Sequence, residues 1–151
     1  MILDRKTLIS LAAAGSAGLL GGAFVFQFLG YAPCEMCLWQ RWPHAAAILI
    51  GVIALAAPSR ALCWLGAVAA GITGALGVYH TGVERAWWQG PTSCTGSGGM
   101  DANNLLAMDG PKIVLCDQVA WELFGISMAS WNAIFSFGLM VIWILATRAR
   151  S

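Results

Sequence analysis

Four long apolar stretches alternate with short polar segments along the 151-residue chain. They cover about residues 8–29, 42–57, 61–79 and 128–146, and the second is the shortest. A helix needs about 20 apolar residues to cross a hydrocarbon core about 30 Å thick. The pattern therefore predicts an all-α membrane protein, a bundle of four transmembrane helices in a single domain over residues 1–151.

A polar break separates the second and third stretches. Because proline ends a helix and arginine resists burial in lipid, Pro58, Ser59 and Arg60 predict a tight turn. The two helices then form a hairpin that crosses the membrane twice. The segments before and after this hairpin are therefore expected on the same side.

Small residues recur at intervals of four on two of the predicted helices. They are Gly18 and Gly22 on the first helix, and Gly66, Ala70 and Gly74 on the third. This spacing is typical of flat seams along which helices approach closely in lipid. We expect both seams to serve helix packing.

The first apolar stretch follows Arg5 and Lys6, as the apolar part of a secretory signal peptide would. Its apolar run continues through Phe24 and Phe28, past any cleavage point near the preceding alanines. We therefore expect a retained membrane anchor.

Composition agrees with a membrane protein, since 59% of the residues are hydrophobic and only 10% are charged. Too few charges are present to coat a water-soluble globule. The net charge is +1 and the sequence has no run of lysine or arginine. This balance argues against nucleic-acid binding, which needs a clustered positive surface.

Lysine and arginine positions predict the orientation, because these residues favour the cytoplasmic side. One predicted face carries Arg5, Lys6, Arg60, Arg148 and Arg150, with Asp4 as its only acid. The opposite face carries most of the acidic residues. Both termini are thus predicted to be cytoplasmic, with a long loop outside the cytoplasm between the third and fourth helices.

Four of the five cysteines fall in the two outer segments. Cys34 and Cys37 lie between the first and second helices, and Cys94 and Cys116 lie between the third and fourth. Both pairs are therefore expected in the oxidising compartment, where disulfides persist. Cys63 lies at the cytoplasmic start of the third helix and is expected to be a small buried apolar residue.

The C-x-x-C spacing of Cys34 and Cys37 suits either a readily exchanged disulfide or half of a zinc site. Spacing alone does not choose, because the two loop cysteines could complete a four-cysteine cage. The stretch after Cys94 is rich in glycine and includes Gly96, Gly98 and Gly99. Such an arm favours thiol exchange over a fixed metal cage.

Charges near the C-x-x-C element bear on thiolate formation. Arg41 follows Cys37 by one helical turn, where its positive charge, together with the helix N-terminus, favours the thiolate. Alternatively, its guanidinium simply reaches the lipid headgroups. Glu35 lies between the two cysteines and disfavours the thiolate.

Two tryptophans flank Arg41 and allow two interpretations. Trp39 and Trp42 fit an aromatic belt at the membrane surface. They could also wall an apolar slot for a flat ring beside Cys37. His44, which follows Pro43, is expected to be structural.

Taken together, these residues form a pattern that is similar to that of one protein family. Its pattern is Pro33-Cys34-x-x-Cys37, Arg41, His80 at the end of the third helix, two further loop cysteines and Trp131 at the start of the fourth. In a chain with four predicted spans, this pattern resembles the DsbB family of bacterial disulfide bond formation proteins. The resemblance covers nearly the whole chain.

The resemblance implies an electron relay in the bacterial inner membrane, with the cysteines on the periplasmic side. A reduced thioredoxin-fold oxidase of the DsbA type would attack Cys94 of a Cys94–Cys116 disulfide. Cys116 would then attack Cys34, and the released Cys37 would pass electrons to ubiquinone or menaquinone. Arg41 would polarise a quinone oxygen.

By the same resemblance, His80 lies near the quinone, where it could hydrogen-bond a carbonyl or carry a proton. Alternatively, it is simply an interfacial polar residue at the end of a helix. Trp39 and Trp42 are included among the expected quinone contacts. Because the long loop is glycine-rich, the partner could be a dedicated oxidase rather than a general DsbA.

Three other functions stay open at the level of sequence. A membrane metal-binding protein would use the four outer cysteines as ligands, and a structural membrane protein would hold two inert disulfides. An enzyme like vitamin K epoxide reductase also couples C-x-x-C to a quinone. In that family, however, the motif lies on the last helix rather than after the first.

Overall fold

The computed structural model describes residues 3–95 and 114–149, so the glycine-rich stretch with Gly96, Gly98 and Gly99 lies outside the described residues. The described chain forms four long helices: α1 (Arg5–Phe28), α2 (Glu35–Ala56), α3 (Arg60–Glu84) and α4 (Met128–Arg148). Two short strands, β1 (Glu122–Leu123) and β2 (Ile126–Ser127), pair antiparallel just before α4. The prediction of a four-helix, essentially all-α architecture is confirmed.

Each helix begins at a side chain that accepts a hydrogen bond from a backbone N–H of the first turn, as helix N-caps do. The capping residues are Asp4, Cys34, Ser59 and Ser127. Because Cys34 caps α2, this helix begins at Glu35 and not near residue 42 as predicted. The C-x-x-C element therefore forms the first turn of a helix.

Three of the described helices, α1, α3 and α4, are long and apolar enough to cross a membrane. Helix α2 has 22 residues and so is about 33 Å long at about 1.5 Å per residue. Its first half is less apolar because it carries Gln40, Arg41 and His44. The apolar stretch predicted at 42–57 corresponds to its second half.

The main core lies between the helices and is centred on Trp143 of α4, which is fully buried. The ring of Trp143 packs against Gly66 of α3, where an added Cβ would clash with it. Gly74 faces Phe137 in the same way. The packing seam predicted on α3 is thus confirmed.

The seam predicted on α1 is wrong. Ideal Cβ atoms placed at Gly18 and Gly22 meet nothing within 4 Å, and both residues line a cavity. These glycines therefore leave space open and do not bring two helices together.

The ends of α1 and α4 meet through Arg5. Its Nε donates to the carbonyl of Ala146 at 3.2 Å, and its Nη2 donates to the carbonyl of Ala149 at 2.7 Å. A guanidinium in this position satisfies carbonyls that the end of α4 leaves free. Cys63 is fully buried in the core cluster that includes Ala146 and Ala149, as expected for a small apolar residue.

At the other end of the bundle, the chain folds back over the end of α3. Trp88 donates its indole N–H to the carbonyl of Tyr79 at 2.9 Å, and its ring packs where Gly82 has no side chain. This return positions the following turn, in which Cys94 N donates to the carbonyl of Pro91. Cys94 is thereby held against the end of α3.

Candidate active site

The two cysteine pairs pack together in one buried cluster at this end of the bundle. Its members are Cys34, Met36, Val83, Cys94 and Cys116, with Cys37 and Val114 packed against them. Cys94 and Cys116 form a disulfide, whereas Cys34 and Cys37 are thiols. The fold thus brings together two pairs that lie far apart in the sequence.

Cys34 and Cys37 both lie before the apolar stretch 42–57, but their surroundings differ. Cys34 is 4% exposed, and the backbone N–H of Cys37 donates to its sulfur at 3.2 Å. The hydrogen bond to the Cys37 sulfur and burial raise the pKa of Cys34. The same hydrogen bond and the positive charge of Arg41 lower the pKa of Cys37. Together they outweigh burial and the negative charge of Glu84, which raise it. The thiolate of the pair is therefore placed on Cys37.

His80 of α3 stands beside Cys34. Its Nε2 lies 3.6 Å from the Cys34 sulfur, and its Nδ1 lies 3.0 Å from Nε2 of Gln40. Because an amide nitrogen can only donate, Nδ1 accepts this bond and the ring proton is assigned to Nε2. The histidine therefore presents an N–H to the sulfur.

A chain of buried hydrogen bonds continues from Gln40 across the bundle. The amide of Asn132 on α4 donates to Oε1 of Gln40 at 2.7 Å, and its oxygen lies 2.9 Å from Nε2 of His44. The Asn132 nitrogen also lies 3.2 Å from the hydroxyl of Thr73. Since Asn132 accepts from His44 Nε2, the buried Nδ1 of His44 is a free acceptor with no partner among the described residues.

A cavity of about 370 Å³ opens beside these groups, within the size range of small-molecule sites, about 300–1,000 Å³. Its apolar walls include Gly22, Phe26, Trp121, Trp131 and Phe135. Its polar lining residues are Cys34, Cys37, Gln40, Arg41, His44, His80, Glu84, Gln118 and Asn132. The cavity thus joins the C-x-x-C element to a largely apolar chamber.

Arg41 carries a fixed positive charge at the edge of this chamber. Its Nη1 donates to Oε1 of Gln27 at 2.8 Å, and its guanidinium lies 4.8 Å from the ring centroid of Phe24. Its Nε is buried and has no hydrogen-bond partner in the part of the chain that the structure describes. The site therefore retains an unused cationic donor.

The expectation that Trp39 and Trp42 wall the slot is wrong for this cavity. Both rings lie outside it, and Trp42 is 76% exposed. At 3.6 residues per turn, Cys37 and Arg41 share one face of α2, whereas Trp39 and Trp42 project from the other side. Aromatic residues of α4 and of the segment before it line the cavity instead.

Sequence reasoning missed Gln40, Glu84 and Asn132 as site residues and assigned His44 a structural role. A signal for Gln40 and His44 was present, since Cys37, Gln40 and His44 follow one another at spacings of three and four residues on one helix. Polar residues on one face of a membrane helix usually mark a functional interior. Glu84 also had a signal, since it lies four residues after His80 on the third helix, whereas Asn132 has no comparable local pattern.

Comparison with known proteins gives a consistent result. Residues 5–146 match the family model described as Disulfide bond formation protein DsbB. Disulfide bond formation protein B of Dechloromonas aromatica is 29% identical over 143 residues, covering 87% of this chain and 85% of that protein. Disulfide bond formation protein B 2 of Pseudomonas aeruginosa is 30% identical, covering 93% and 89%. No solved structure matches the chain significantly.

Proposed function

The chain belongs to the DsbB family of disulfide bond formation proteins, and we propose that it oxidises a DsbA-type thioredoxin-fold partner and delivers the electrons to a membrane quinone. The partner would be periplasmic, and the quinone would be ubiquinone or menaquinone. The observation that carries this proposal is the single cluster in which Cys94 and Cys116 pack with Cys34, while Cys37 lines the cavity.

Placement in the bacterial inner membrane follows as part of the proposal. Helices α1, α3 and α4 are apolar enough to span, and α2 would span with its polar face turned toward the cavity. Arg5, Lys6, Arg60 and Arg148 favour a cytoplasmic position for the linked ends of α1 and α4. Both cysteine pairs then face the periplasm.

Each thiol–disulfide exchange step forms one S–S bond for each S–S bond that it breaks, so electrons are balanced. The partner's two thiols are oxidised to a disulfide as the Cys94–Cys116 bond is reduced to two thiols. Cys116 then attacks Cys34 of a Cys34–Cys37 disulfide, and attack by Cys94 on Cys116 restores the loop disulfide. The pair Cys34 and Cys37 is left as thiols, which is the pairing found in the structure.

The cavity suits a quinone by its shape and its polar groups. Aromatic and aliphatic walls fit a flat ring, and two buried polar atoms at its edge lack partners among the described residues, Arg41 Nε and His44 Nδ1. A quinone held there would supply the final acceptor of two electrons and two protons. Arg41 would donate to an oxygen of the quinone ring. After reduction of the ring, Nδ1 of His44 would accept a hydrogen bond from a hydroxyl group of the quinol.

Other residues around the two thiols set their charge and hydrogen bonding. Arg41 stabilises negative charge on Cys37, which borders the cavity, and His80 steadies the Cys34 sulfur with its Nε2–H. Gln40 fixes the ring of His80 from the opposite side. These contacts keep the more reactive thiolate next to the chamber.

Two alternatives lose support. A four-cysteine metal cage finds no support in the structure, in which Cys94 and Cys116 are bonded to each other and offer no thiolate ligands in this state. The vitamin K epoxide reductase alternative is set aside by the family match, which agrees with a C-x-x-C element at the start of the second helix.

The proposal is tested in bacterial cells that lack their own enzyme of this type. We expect the wild-type chain to keep a DsbA-type partner oxidised, as measured by thiol alkylation and gel mobility. Cys37→Ser and Cys94→Ser should leave the partner reduced, whereas Cys63→Ser should behave like the wild type. A partner that stays reduced with well-expressed wild-type chain would refute the proposal.

A further inference from the structure

A cluster of soft ligand atoms lies where α2 begins and α3 ends. The sulfurs of Cys34 and Cys37 and a ring nitrogen of His80 all lie within 4.8 Å of one another. We propose that, when both cysteines are thiols, this cluster binds a soft divalent cation such as Zn²⁺ and so holds the enzyme in an inactive form. This inference goes beyond electron transfer and adds a means of inhibition.

The distances agree with a tetrahedral metal. Zinc binds sulfur at about 2.3 Å and imidazole nitrogen at about 2.0–2.1 Å, so a tetrahedral site separates the two ligand atoms by about 3.6 Å. The Cys34 sulfur lies 3.6 Å from His80 Nε2. The N–H of Cys37 already donates to the Cys34 sulfur and would continue to support a metal-bound thiolate.

Glu84 offers a fourth ligand one helical turn after His80. Its side chain is 6% exposed, and its Oε1 lies 3.9 Å from Nε2 of His80. Its other oxygen, Oε2, is buried without a hydrogen-bond partner among the described residues. A buried carboxylate with an unused oxygen favours a nearby cation. The Glu84 oxygens lie outside the group of ligand atoms that are all within 4.8 Å of one another, so its side chain would have to rotate toward a cation held by the other three residues.

The Gln40 amide could support a metal-bound His80 after one rearrangement. With a metal on Nε2, the ring proton moves to Nδ1, which lies 3.0 Å from the Gln40 amide. Turning that amide by half a rotation would present its oxygen to the ring, which is the supporting bond that metal-binding histidines usually have. The turn would break the present bonds of Gln40 with Asn132 and with the carbonyl of Met36, so metal binding would rearrange the buried polar chain.

Binding is not a redox step. Zn²⁺ binds both sulfurs as thiolates, each proton still held by Cys34 or Cys37 is released to solvent, and the two sulfurs keep their electrons. Held in this way, Cys34 and Cys37 cannot form the disulfide that electron delivery requires. The oxidised pair has no thiolates to offer, so only the reduced enzyme would be captured.

The first test titrates purified full-length protein in detergent with Cd²⁺, which gives an ultraviolet charge-transfer band on binding thiolates. Anaerobically reduced protein should bind one Cd²⁺ at this site and lose it to added Zn²⁺, whereas the oxidised protein should give no band. Cd²⁺ should protect Cys34 and Cys37 from alkylation, as read by mass spectrometry of the wild-type chain. Failure of the reduced protein to show this protection would overturn the inference.

Variants separate this site from other thiol sites. Cys94→Ser/Cys116→Ser should retain one Cd²⁺, and Glu84→Gln should weaken binding about tenfold or more. Glu35→Gln is the matched control, since it removes an acid next to Cys34 that is not part of the cluster, and binding should change far less than in Glu84→Gln. Equal affinities of the Glu84→Gln and wild-type proteins would remove Glu84 from the site, and a band that persists in Cys34→Ser/Cys37→Ser would refute the site itself.

The Cd²⁺ readout requires neither quinone nor a partner protein, so it can fail while enzymatic turnover succeeds, or the reverse. In the turnover assay, Zn²⁺ should inhibit the wild-type enzyme, and a chelator should restore its rate. Full activity with Zn²⁺ bound at the cluster would contradict the inhibitory role.

Discussion

His80 Nε2 lies 3.6 Å from the sulfur of Cys34, while Gln40 holds the opposite nitrogen of the same ring at 3.0 Å. The histidine thus connects the capping cysteine of α2 to a buried polar chain that ends at His44. Because all of these residues line the same cavity, the thiols and the chamber act as one unit in the proposed enzyme.

Removing the His80 ring should slow the exchange at Cys34. His80→Ala deletes the donor that steadies the sulfur, and we expect kcat to fall about 10²-fold, in the range of acid–base contributions. The KM for the partner should change little, as measured by steady-state kinetics. Tyr79→Phe on the same helix is the control, since its hydroxyl donates to a surface carbonyl at Gln89. An unchanged kcat in His80→Ala would argue against this role.

Filling the cavity should block the quinone selectively. Gly22 lines the cavity and has free space around an added Cβ, so Gly22→Leu should place its side chain in the chamber. We expect the KM for quinone to rise severalfold while reduction of the loop disulfide by the partner continues. Gly21→Leu, one residue earlier at an exposed position outside the cavity lining, should have little effect. Similar KM values for both variants would place the quinone elsewhere.

Charge and shape at Arg41 can be separated by two substitutions. Arg41→Ala should lower turnover about 10²-fold, since it removes a cationic donor from the site. Arg41→Lys keeps the charge but loses the planar contacts with Gln27 and Phe24, so we expect an intermediate rate. Wild-type kinetics with short-chain quinone in Arg41→Ala would contradict a direct role.

The reactivity of Cys37 should depend on Cys34. A thiolate forms as pH rises through the pKa, and the lowered pKa of Cys37 places this midpoint below the usual value of about 8.5. Cys34→Ala removes the main hydrogen bond that lowers the pKa, so the midpoint of the alkylation rate should move to higher pH. The measurement uses Cys63→Ser protein, in which Cys94 and Cys116 remain bonded. A midpoint that does not move would show that Cys34 does not set the reactivity of Cys37.

Asn132 should matter for stability as well as for activity. Asn132→Leu leaves His44 Nε2 and Gln40 Oε1 without their partners, and each buried unpaired group costs about 1–3 kcal/mol. Thermal unfolding in detergent should therefore shift clearly to lower temperature. The matched change Ile134→Ala, at a half-exposed position of the same helix, should shift it less. A larger effect of Ile134→Ala would contradict the importance of the buried chain.

The sequence predicted the helices well because apolar length and a polar turn are local properties. It placed the start of α2 seven residues late, since Cys34 is an unusual N-cap and the first turns of α2 carry polar residues. Because the second and third predicted helices cross the membrane twice, the sequence placed both cysteine pairs on the same side. The structure brings these pairs into one cluster.

The internal arrangement of the site was harder to predict. Whether Gly22 faces a neighbouring helix or a cavity depends on how far apart the helices stand, which residue spacing does not record. The outward position of Trp42 follows from helical geometry once α2 is known to begin at Glu35. Contacts such as Asn132 with Gln40 join residues from different helices and have no local signature.

The central claim is that electrons from a partner protein reach a quinone through Cys37. The most direct measurement follows quinone absorbance with purified protein, a reduced DsbA-type partner and a short-chain ubiquinone. We predict steady quinone reduction by the wild type, none by Cys37→Ser and a much slower rate for Arg41→Ala. Absence of turnover in correctly folded wild-type protein, or undiminished turnover in Cys37→Ser, would contradict the account.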